Sequence, residues 1–82
     1  MFLSEVKQAI LKDLRHEPLD QFQIAADLAA APWLIRAELK GLKRNRLVHV
    51  AQSKRNGILW QLTDHGRRVL NEHDQLELGE TS

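Results

Sequence analysis

Several residue types that carry chemistry are missing or scarce in this chain. Cysteine is absent, so disulfides, zinc–thiolate sites and cysteine nucleophiles are all excluded. No apolar run is long enough to span a bilayer. The opening stretch MFLSEVKQ carries an acid at Glu5 and lacks the pattern of a secretory signal. We therefore expect a cytoplasmic protein with no disulfide and no association with a membrane.

Residue sets that support catalysis or metal binding are also lacking. The three serines fall at a predicted helix cap, a turn and the last position, Ser4, Ser53 and Ser82, and no glycine-rich phosphate loop is present. None of the four histidines forms a helical i,i+4 pair, which is the usual spacing of a helical metal site. These are His16, His49, His65 and His73. We predict a protein that is not an enzyme and holds no metal or other cofactor.

What is present suits one small soluble domain with a thin core. The chain has 82 residues, 43% of them hydrophobic and 28% charged. The net charge of +1 hides an uneven distribution. Residues 1–70 carry all 12 Lys and Arg against 7 acids, whereas residues 71–82 carry 4 acids and no Lys or Arg. Residues 36–55 alone hold seven basic residues against one acid, Glu38, which indicates a strongly basic surface.

Two helices are predicted in the first third of the chain. Apolar residues recur at helical spacing from Leu3 to Leu14, and Ser4 can cap the start of this helix. The Glu17–Pro18 step is expected to end it. Asp20 then caps a second helix in a capping-box pattern with Gln23. Leu19 and Ile24 stand at the positions of a hydrophobic staple around that cap.

A third helix with two contrasting faces is predicted from about Pro32 to Asn45. Ile35, Leu39 and Leu42 form its apolar stripe. Because successive residues of an α-helix are 100° apart, six further residues of this helix fall on the opposite side. They form a basic face with a tryptophan near its beginning. The residues of this face are Trp33, Arg36, Ala37, Lys40, Lys43 and Arg44. Gly41 lowers helix propensity without an evident local reason.

A β-hairpin and a last helix complete the chain. Alternating apolar residues flank Asn56-Gly57, a strong hairpin signal because both central positions of a type I′ turn need positive φ. Thr63 is the predicted cap of the last helix. We predict one domain over residues 1–76, followed by an acidic and disordered tail over residues 77–82.

This order of elements resembles a known family. The stretch IAADLAAAPWLIRAELKGLKRNRLVHV is similar to the helix-turn-helix of winged-helix transcriptional regulators, and LTDHGRRVL is similar to the segment after their wing. The resemblance covers roughly residues 3–72 and implies an α+β winged-helix fold. There is one departure, because such proteins often have glycine before the LV step and this chain has Arg46. The third helix is therefore expected to end differently or to run one residue further.

The resemblance implies a site for duplex DNA. The third helix would lie in the major groove, with Trp33, Arg36, Ala37 and Lys40 nearest the bases. Lys43 and Arg44 would lie closer to phosphates. Lys54 and Arg55, at the tip of the hairpin or wing, would contact the DNA backbone or the minor groove. The alternative for the third helix is a solvated outer face, and the alternative for Lys54 and Arg55 is a charged tip that keeps the edge strand soluble.

The sequence leaves more than one role open for Trp33, for the arginine pair of the last helix and for the acidic tail. Trp33 contacts DNA, anchors a protein partner, or packs into the turn between the helices. Arg67 and Arg68, whose charge opposes the dipole at the start of the last helix, contact phosphate or are solvated. The acidic tail competes with DNA for the basic face, contacts a partner, or is solvated.

Our leading hypothesis is sequence-specific binding of double-stranded DNA by a transcriptional regulator of bacterial or phage type. Such small modules usually occupy two half-sites, so a homodimer is a candidate assembly. Its surface is expected to use leucines of the first and last helices, namely Leu11, Leu70, Leu76 and Leu78. The alternative is a winged-helix adapter that binds a protein partner through the same surface around Trp33. A third hypothesis is non-specific architectural DNA binding.

Overall fold

The protein is described here by a computed structural model. The backbone is described for residues 3–54 and 57–81, and the side chains for residues 3–53 and 57–73. Within this part the elements are, in order, α1 (Glu5–Asp13), α2 (Gln21–Leu28), α3 (Pro32–Arg44), β1 (Val48–Lys54), β2 (Gly57–Leu62) and α4 (Asp64–Thr81). The predicted α+β order of three helices, a hairpin and a final helix is confirmed.

The helices begin where short polar side chains satisfy free backbone N–H groups. The Lys7 N–H donates to Ser4 Oγ at 3.2 Å, and the Gln23 N–H donates to Asp20 Oδ1 at 2.7 Å. At α4 the Gly66 N–H donates to Thr63 Oγ1 at 2.9 Å. All three predicted caps are confirmed.

The first helix ends earlier than predicted. α1 stops at Asp13, with Leu14 as its C-cap, whereas the Glu17–Pro18 step was expected to end it. The chain then turns and brings Leu19 alongside β2, where the two backbones exchange hydrogen bonds. The Leu19 N–H donates to the Trp60 carbonyl at 3.0 Å, and the Trp60 N–H donates to the Leu19 carbonyl at 2.8 Å. This bridge ties the entry of α2 to the hairpin.

A single core lies between the helices and the inner side of the hairpin. Buried leucines and isoleucines from α1, α2, α3 and α4 meet Trp60 and Leu62 of β2. The predicted stripe of α3 is completely buried, because Ile35, Leu39 and Leu42 are each 0% exposed. The opposite face of α3 must therefore point to solvent.

The end of α3 keeps the geometry that glycine usually supplies. Arg46 adopts a left-handed φ of 60°, the Arg46 N–H donates to the Lys43 carbonyl, and the Leu47 N–H donates to the Leu42 carbonyl, both at 2.9 Å. These two bonds form a Schellman motif with Arg46 at its left-handed position. The helix therefore ends in the usual way despite the missing glycine, and it does not run one residue further.

The hairpin is antiparallel, but its turn is displaced by one residue from the prediction. Lys54 pairs with Gly57, so the connecting residues are 55 and 56, which lie outside the described part. Gly57 was predicted as a central turn residue, yet it is the first residue of β2, with φ of 137°. A β-bulge at Ala51, between the paired residues Val50 and Gln52, shifts the register by one.

The joint between α3, β2 and α4 is built on Thr63. Its Oγ1 donates to the Arg46 carbonyl at 2.6 Å, and its N–H donates to the Leu47 carbonyl at 3.1 Å. Gly66 lies directly against the Leu47 carbonyl, where a Cβ atom would not fit. This contact fixes where α4 starts relative to the end of α3.

The last helix, α4, runs from Asp64 to Thr81. The predicted division into a domain over residues 1–76 and a disordered acidic tail over residues 77–82 stays a prediction.

Candidate nucleic-acid interface

The outer face of α3 is basic and fully presented to solvent. Every predicted residue on it is exposed: Trp33, Arg36, Ala37, Lys40, Lys43 and Arg44. We call this set the basic face. Arg36, Lys40 and Lys43 follow each other at intervals of four and three residues, so their side chains form one row along the helix. The four cations of this face have no acidic neighbour on it.

The one acid of α3 is turned away and neutralised. Glu38 Oε2 lies 3.0 Å from Nζ of Lys7 on α1, and the two side chains are 22% and 29% exposed. The pair is therefore partly shielded, and it binds α3 to α1 on the inner side of the helix. As a result, Glu38 does not offset the positive charge of the basic face.

The hairpin stands beside α3, but its predicted contact residues are described only in part. Lys54 is the last residue of β1, and its side chain lies outside the described part. Arg55 also lies outside the described residues. The role predicted for these two wing residues therefore stays a prediction.

A cleft of about 470 Å³ lies between the start of α2, the basic face and the hairpin. Its lining includes the cationic row of α3, formed by Arg36, Lys40 and Lys43. Two apolar side chains, Phe22 of α2 and Ile58 of β2, share the lining with these cations. The cleft thus combines positive charge and exposed apolar surface.

The fold matches those of solved regulators. ZitR from Lactococcus lactis superposes with a TM-score of 0.81 at 26% identity, covering 100% of this chain and 64% of ZitR. The transcriptional regulator BldR from Sulfolobus solfataricus gives 0.85 at 25% identity, covering 96% of this chain and 58% of BldR. The chain has the winged helix-turn-helix fold of transcriptional regulators. In that fold α2 and α3 form the helix-turn-helix, and the β1–β2 hairpin is the wing.

Two further findings complete the comparison. FabT from Streptococcus pneumoniae, solved in complex with DNA, shares the fold with a TM-score of 0.82 at 16% identity, covering 96% of this chain and 57% of FabT. This winged helix thus spans about three fifths of the length of the structures it matches. No protein-family model matches the sequence, and neither does any curated protein.

Trp33 is exposed to solvent at the beginning of α3. It is 73% exposed at the first turn of α3, so it does not pack into the turn between the helices. Of the three interpretations, packing is therefore wrong, and contact with DNA or with a protein partner is left. Which of these two contacts Trp33 makes stays a prediction.

Two apolar residues of the cleft were missed by the sequence analysis. Phe22 is 65% exposed and Ile58 is 43% exposed. Phe22 falls outside the buried stripe of α2, and this was the available signal in the sequence. Ile58 has no such signal, because it shares a strand face with Trp60 and Leu62, which are buried. Only its distance from the core leaves it in solvent.

Part of the predicted dimer surface is corrected. Leu11 and Leu70 are each 0% exposed and belong to the core, so they are not available to a second copy. α1 and α4 pack against each other, and both leucines belong to the buried cluster between the elements. Leu76 and Leu78 have side chains outside the described part.

The two arginines at the start of α4, possible metal ligands and possible membrane spans complete the comparison with the sequence predictions. Arg67 and Arg68 are exposed at the start of α4, and Arg67 Nη1 lies 3.4 Å from the Arg15 carbonyl, a long hydrogen bond between α4 and the end of α1. Among the residues that the structure describes, no group of three or more His, Cys, Asp or Glu side chains is arranged to hold a metal ion. No helix within the described ranges is sufficiently long and apolar to cross a membrane.

Proposed function

We propose that this winged helix binds duplex DNA and serves a transcriptional regulator of bacterial or phage type in the cytoplasm. The observation that carries the proposal is the basic face, on which four cations and Trp33 are exposed while Glu38 is paired with Lys7. A face of this kind on the third helix of a helix-turn-helix suits the major groove. The solved complex of ZitR with DNA, at 25% identity, supports the proposal.

The expected roles follow position along α3. Trp33, Arg36, Ala37 and Lys40 occupy its first two thirds and would reach base edges, with Arg36 able to bind guanine through two hydrogen bonds. Lys43 and Arg44, in the last turn, would neutralise phosphates. Lys54 and Arg55 of the wing would add sequence-independent affinity in the same way.

Fluorescence anisotropy with a labelled random-sequence duplex tests the proposal. Binding should be clear at about 50 mM salt and should weaken by orders of magnitude at about 200 mM, because several phosphate contacts release counterions. Arg36→Ala and Lys40→Ala should weaken binding, whereas Lys12→Ala, an exposed cation on α1, is the matched control. A folded protein that does not bind at low salt would contradict the proposal.

The specificity and the assembly are separate parts of the proposal. A specific regulator should select one sequence from a random library, whereas equal affinity for unrelated duplexes would indicate architectural binding. A homodimer would give a selected site with two half-sites about one helical turn apart. Sedimentation of the free protein and of the complex measures the stoichiometry.

The exposure of Trp33 supports a second candidate, an adapter that binds a protein partner. Exposed tryptophans are common anchors of protein interfaces. An adapter should lose its partner when Trp33 becomes Ala and should tolerate loss of charge at Arg55. A DNA-binding domain should instead lose affinity for the duplex when Arg36, Lys40 or Arg55 is neutralised.

A further inference from the structure

Two of the exposed apolar side chains share one cleft. Among the described residues, the large hydrophobics in solvent are Phe22, Trp33 and Ile58, and the first and last of these line the cleft between α2, α3 and the wing. They come from different elements, and the core needs neither of them. Exposed apolar surface beside the cationic row of α3 indicates a ligand that is both anionic and partly apolar.

The charge of the cleft supports an anionic occupant. Arg36, Lys40 and Lys43 contribute three positive charges, and Asp20 contributes one negative charge, which leaves a balance of +2. The Asp20 carboxylate is engaged in capping α2, since its Oδ1 accepts from the Gln23 N–H at 2.7 Å. Gln21 and Phe22, in the first turn of α2 at the positive end of the helix dipole, also line this cleft.

The position of the cleft identifies the anion. When α3 lies in the major groove and the wing lies beside the adjacent minor groove, one sugar–phosphate strand separates the two grooves. That strand must pass between α3 and the wing, which is where the cleft is. A DNA strand alternates anionic phosphates with apolar deoxyribose rings, so its chemistry matches the mixed lining.

We propose that Phe22 and Ile58 pack against the deoxyribose rings of the strand that crosses this cleft, while Lys43 neutralises a neighbouring phosphate. The proposal rests on DNA binding as the function of the domain and adds two binding residues to it. Sugars are the same at every base pair, so these two residues raise affinity for any duplex and do not select a sequence.

The salt dependence of binding separates these apolar contacts from ionic ones. Loss of an apolar contact releases no counterion, so Phe22→Ser and Ile58→Ser should weaken binding at every salt concentration by the same factor. We expect about fivefold to tenfold for each, as for a half-buried apolar side chain. Lys43→Ala should instead lower the slope of log Kd against log salt by about one.

Matched controls exist on the same elements. Gln23→Ala changes the residue after Phe22, and Gln52→Ala changes an exposed residue of the wing, and neither side chain lines the cleft. Both controls should bind as the unmodified protein does. Because Phe22 and Ile58 are exposed, their serine variants should keep the circular dichroism spectrum and the melting temperature within a few degrees.

The outcomes separate this proposal from the function on which it rests. Unchanged affinity of folded Phe22→Ser and Ile58→Ser variants, with a protein that binds DNA, would overturn the deoxyribose contact and leave DNA binding intact. The cleft would then serve a different occupant, such as an acidic peptide. A reduced salt slope in either serine variant would also overturn it. Failure of the unmodified protein to bind any duplex would overturn both proposals.

Discussion

Gly66 and Gly41 both lie in helices, but only Gly66 is packed so closely that a side chain would not fit. A Cβ atom on Gly66 would overlap the carbonyl oxygen of Leu47, which belongs to the joint between α3 and α4. A Cβ atom on Gly41 would meet only Cε of Lys7 at 3.7 Å, an ordinary contact with a flexible side chain. Gly66 is therefore required by close approach of the backbone, whereas Gly41 is not.

We predict that these two glycines respond to alanine with opposite signs. Gly66→Ala should lower the free energy of unfolding by about 3 kcal/mol or more, because backbone must move to admit the methyl group. Gly41→Ala should raise it by about 0.5–1 kcal/mol, because alanine has the higher helix propensity. Urea denaturation measures both, and the prediction is wrong if the two variants shift in the same direction.

Asp13 is the described acid whose protonation the fold perturbs most clearly. Burial, a hydrogen bond with Asp27 and the negative charges of Asp27 and Glu17 together raise its pKa from 3.8 to about 6, with burial contributing most. The folded state thus holds a proton more tightly than the unfolded state. The stability that this proton contributes is present below pH 3.8 and is lost as the pH rises through about 6.

We therefore expect Asp13→Asn to stabilise the protein at neutral pH and to matter less in acid. Asparagine keeps the shape and removes the charge that Asp13 acquires above its raised pKa. The melting temperature of the variant should exceed that of the unmodified protein at about pH 7.5, and the gap should shrink at about pH 4.5. An equal gap at both pH values would show that ionisation of Asp13 is not the cause.

At the scale of elements, two helices end in left-handed residues that are not glycine. Ala29, with φ of 53°, follows α2, and the Ala30 N–H donates to the Ala25 carbonyl at 2.9 Å. Arg46, with φ of 60°, follows α3 in the same arrangement. Both ends are Schellman motifs, and both carry the steric cost of a Cβ in the left-handed region.

We predict that glycine at either position stabilises the fold. Ala29→Gly and Arg46→Gly should each raise the free energy of unfolding by about 1 kcal/mol, because the left-handed penalty is removed. Asn45→Gly is the matched control, since Asn45 has a negative φ of −88° and its Nδ2 donates to the Gly41 carbonyl at 3.2 Å. That variant should be destabilised. A gain at Asn45 and none at Arg46 would contradict the explanation.

At the scale of the whole molecule, the charges separate along the chain. The basic face belongs to α3, whereas the acids after residue 70 belong to α4, whose backbone is one continuous helix of 18 residues. α4 starts at the Thr63 joint and packs against α1 and β2. A continuous helix does not let its last turns fold back over α3, so competition between the acidic segment and DNA is not expected.

The double variant Glu77→Gln, Glu80→Gln tests this expectation. Its affinity for duplex DNA should stay within about twofold of the unmodified protein at about 150 mM salt, because a continuous α4 does not fold over the basic face and salt screens charges at long range. Anisotropy titration measures the affinity, and Glu5→Gln, an exposed acid on α1, is the control. Binding tighter by about tenfold in the double variant alone would show that the acidic segment shields the basic face.

Features that depend on neighbours in sequence were predictable. Ser4, Asp20 and Thr63 cap their helices because each cap needs only a side chain and an N–H two or three residues away. The stripe of Ile35, Leu39 and Leu42 was equally plain, because burial of one helix face follows from its period. Exposure of the basic face then followed without knowledge of any other element.

Features that depend on distant partners were not predictable. The Leu19–Trp60 bridge, the bulge at Ala51 and the burial of Leu11 and Leu70 arise from packing between segments far apart in the chain. The same is true of the cleft, whose walls come from α2, α3 and the wing. Local sequence records which residues are apolar, but for a residue such as Ile58, on the same strand face as buried Trp60 and Leu62, it does not record that the side chain lies beyond the edge of the core.

The element order, the caps and the amphipathic division of α3 follow from local hydrogen bonding and from helical periodicity, so the amino-acid sequence was enough to predict them. Three other features became visible only in the folded chain: Glu38 is neutralised by Lys7, Trp33 stays in solvent, and a mixed cationic and apolar cleft separates α3 from the wing. These features depend on how the elements pack against each other, and packing is a property of the whole chain.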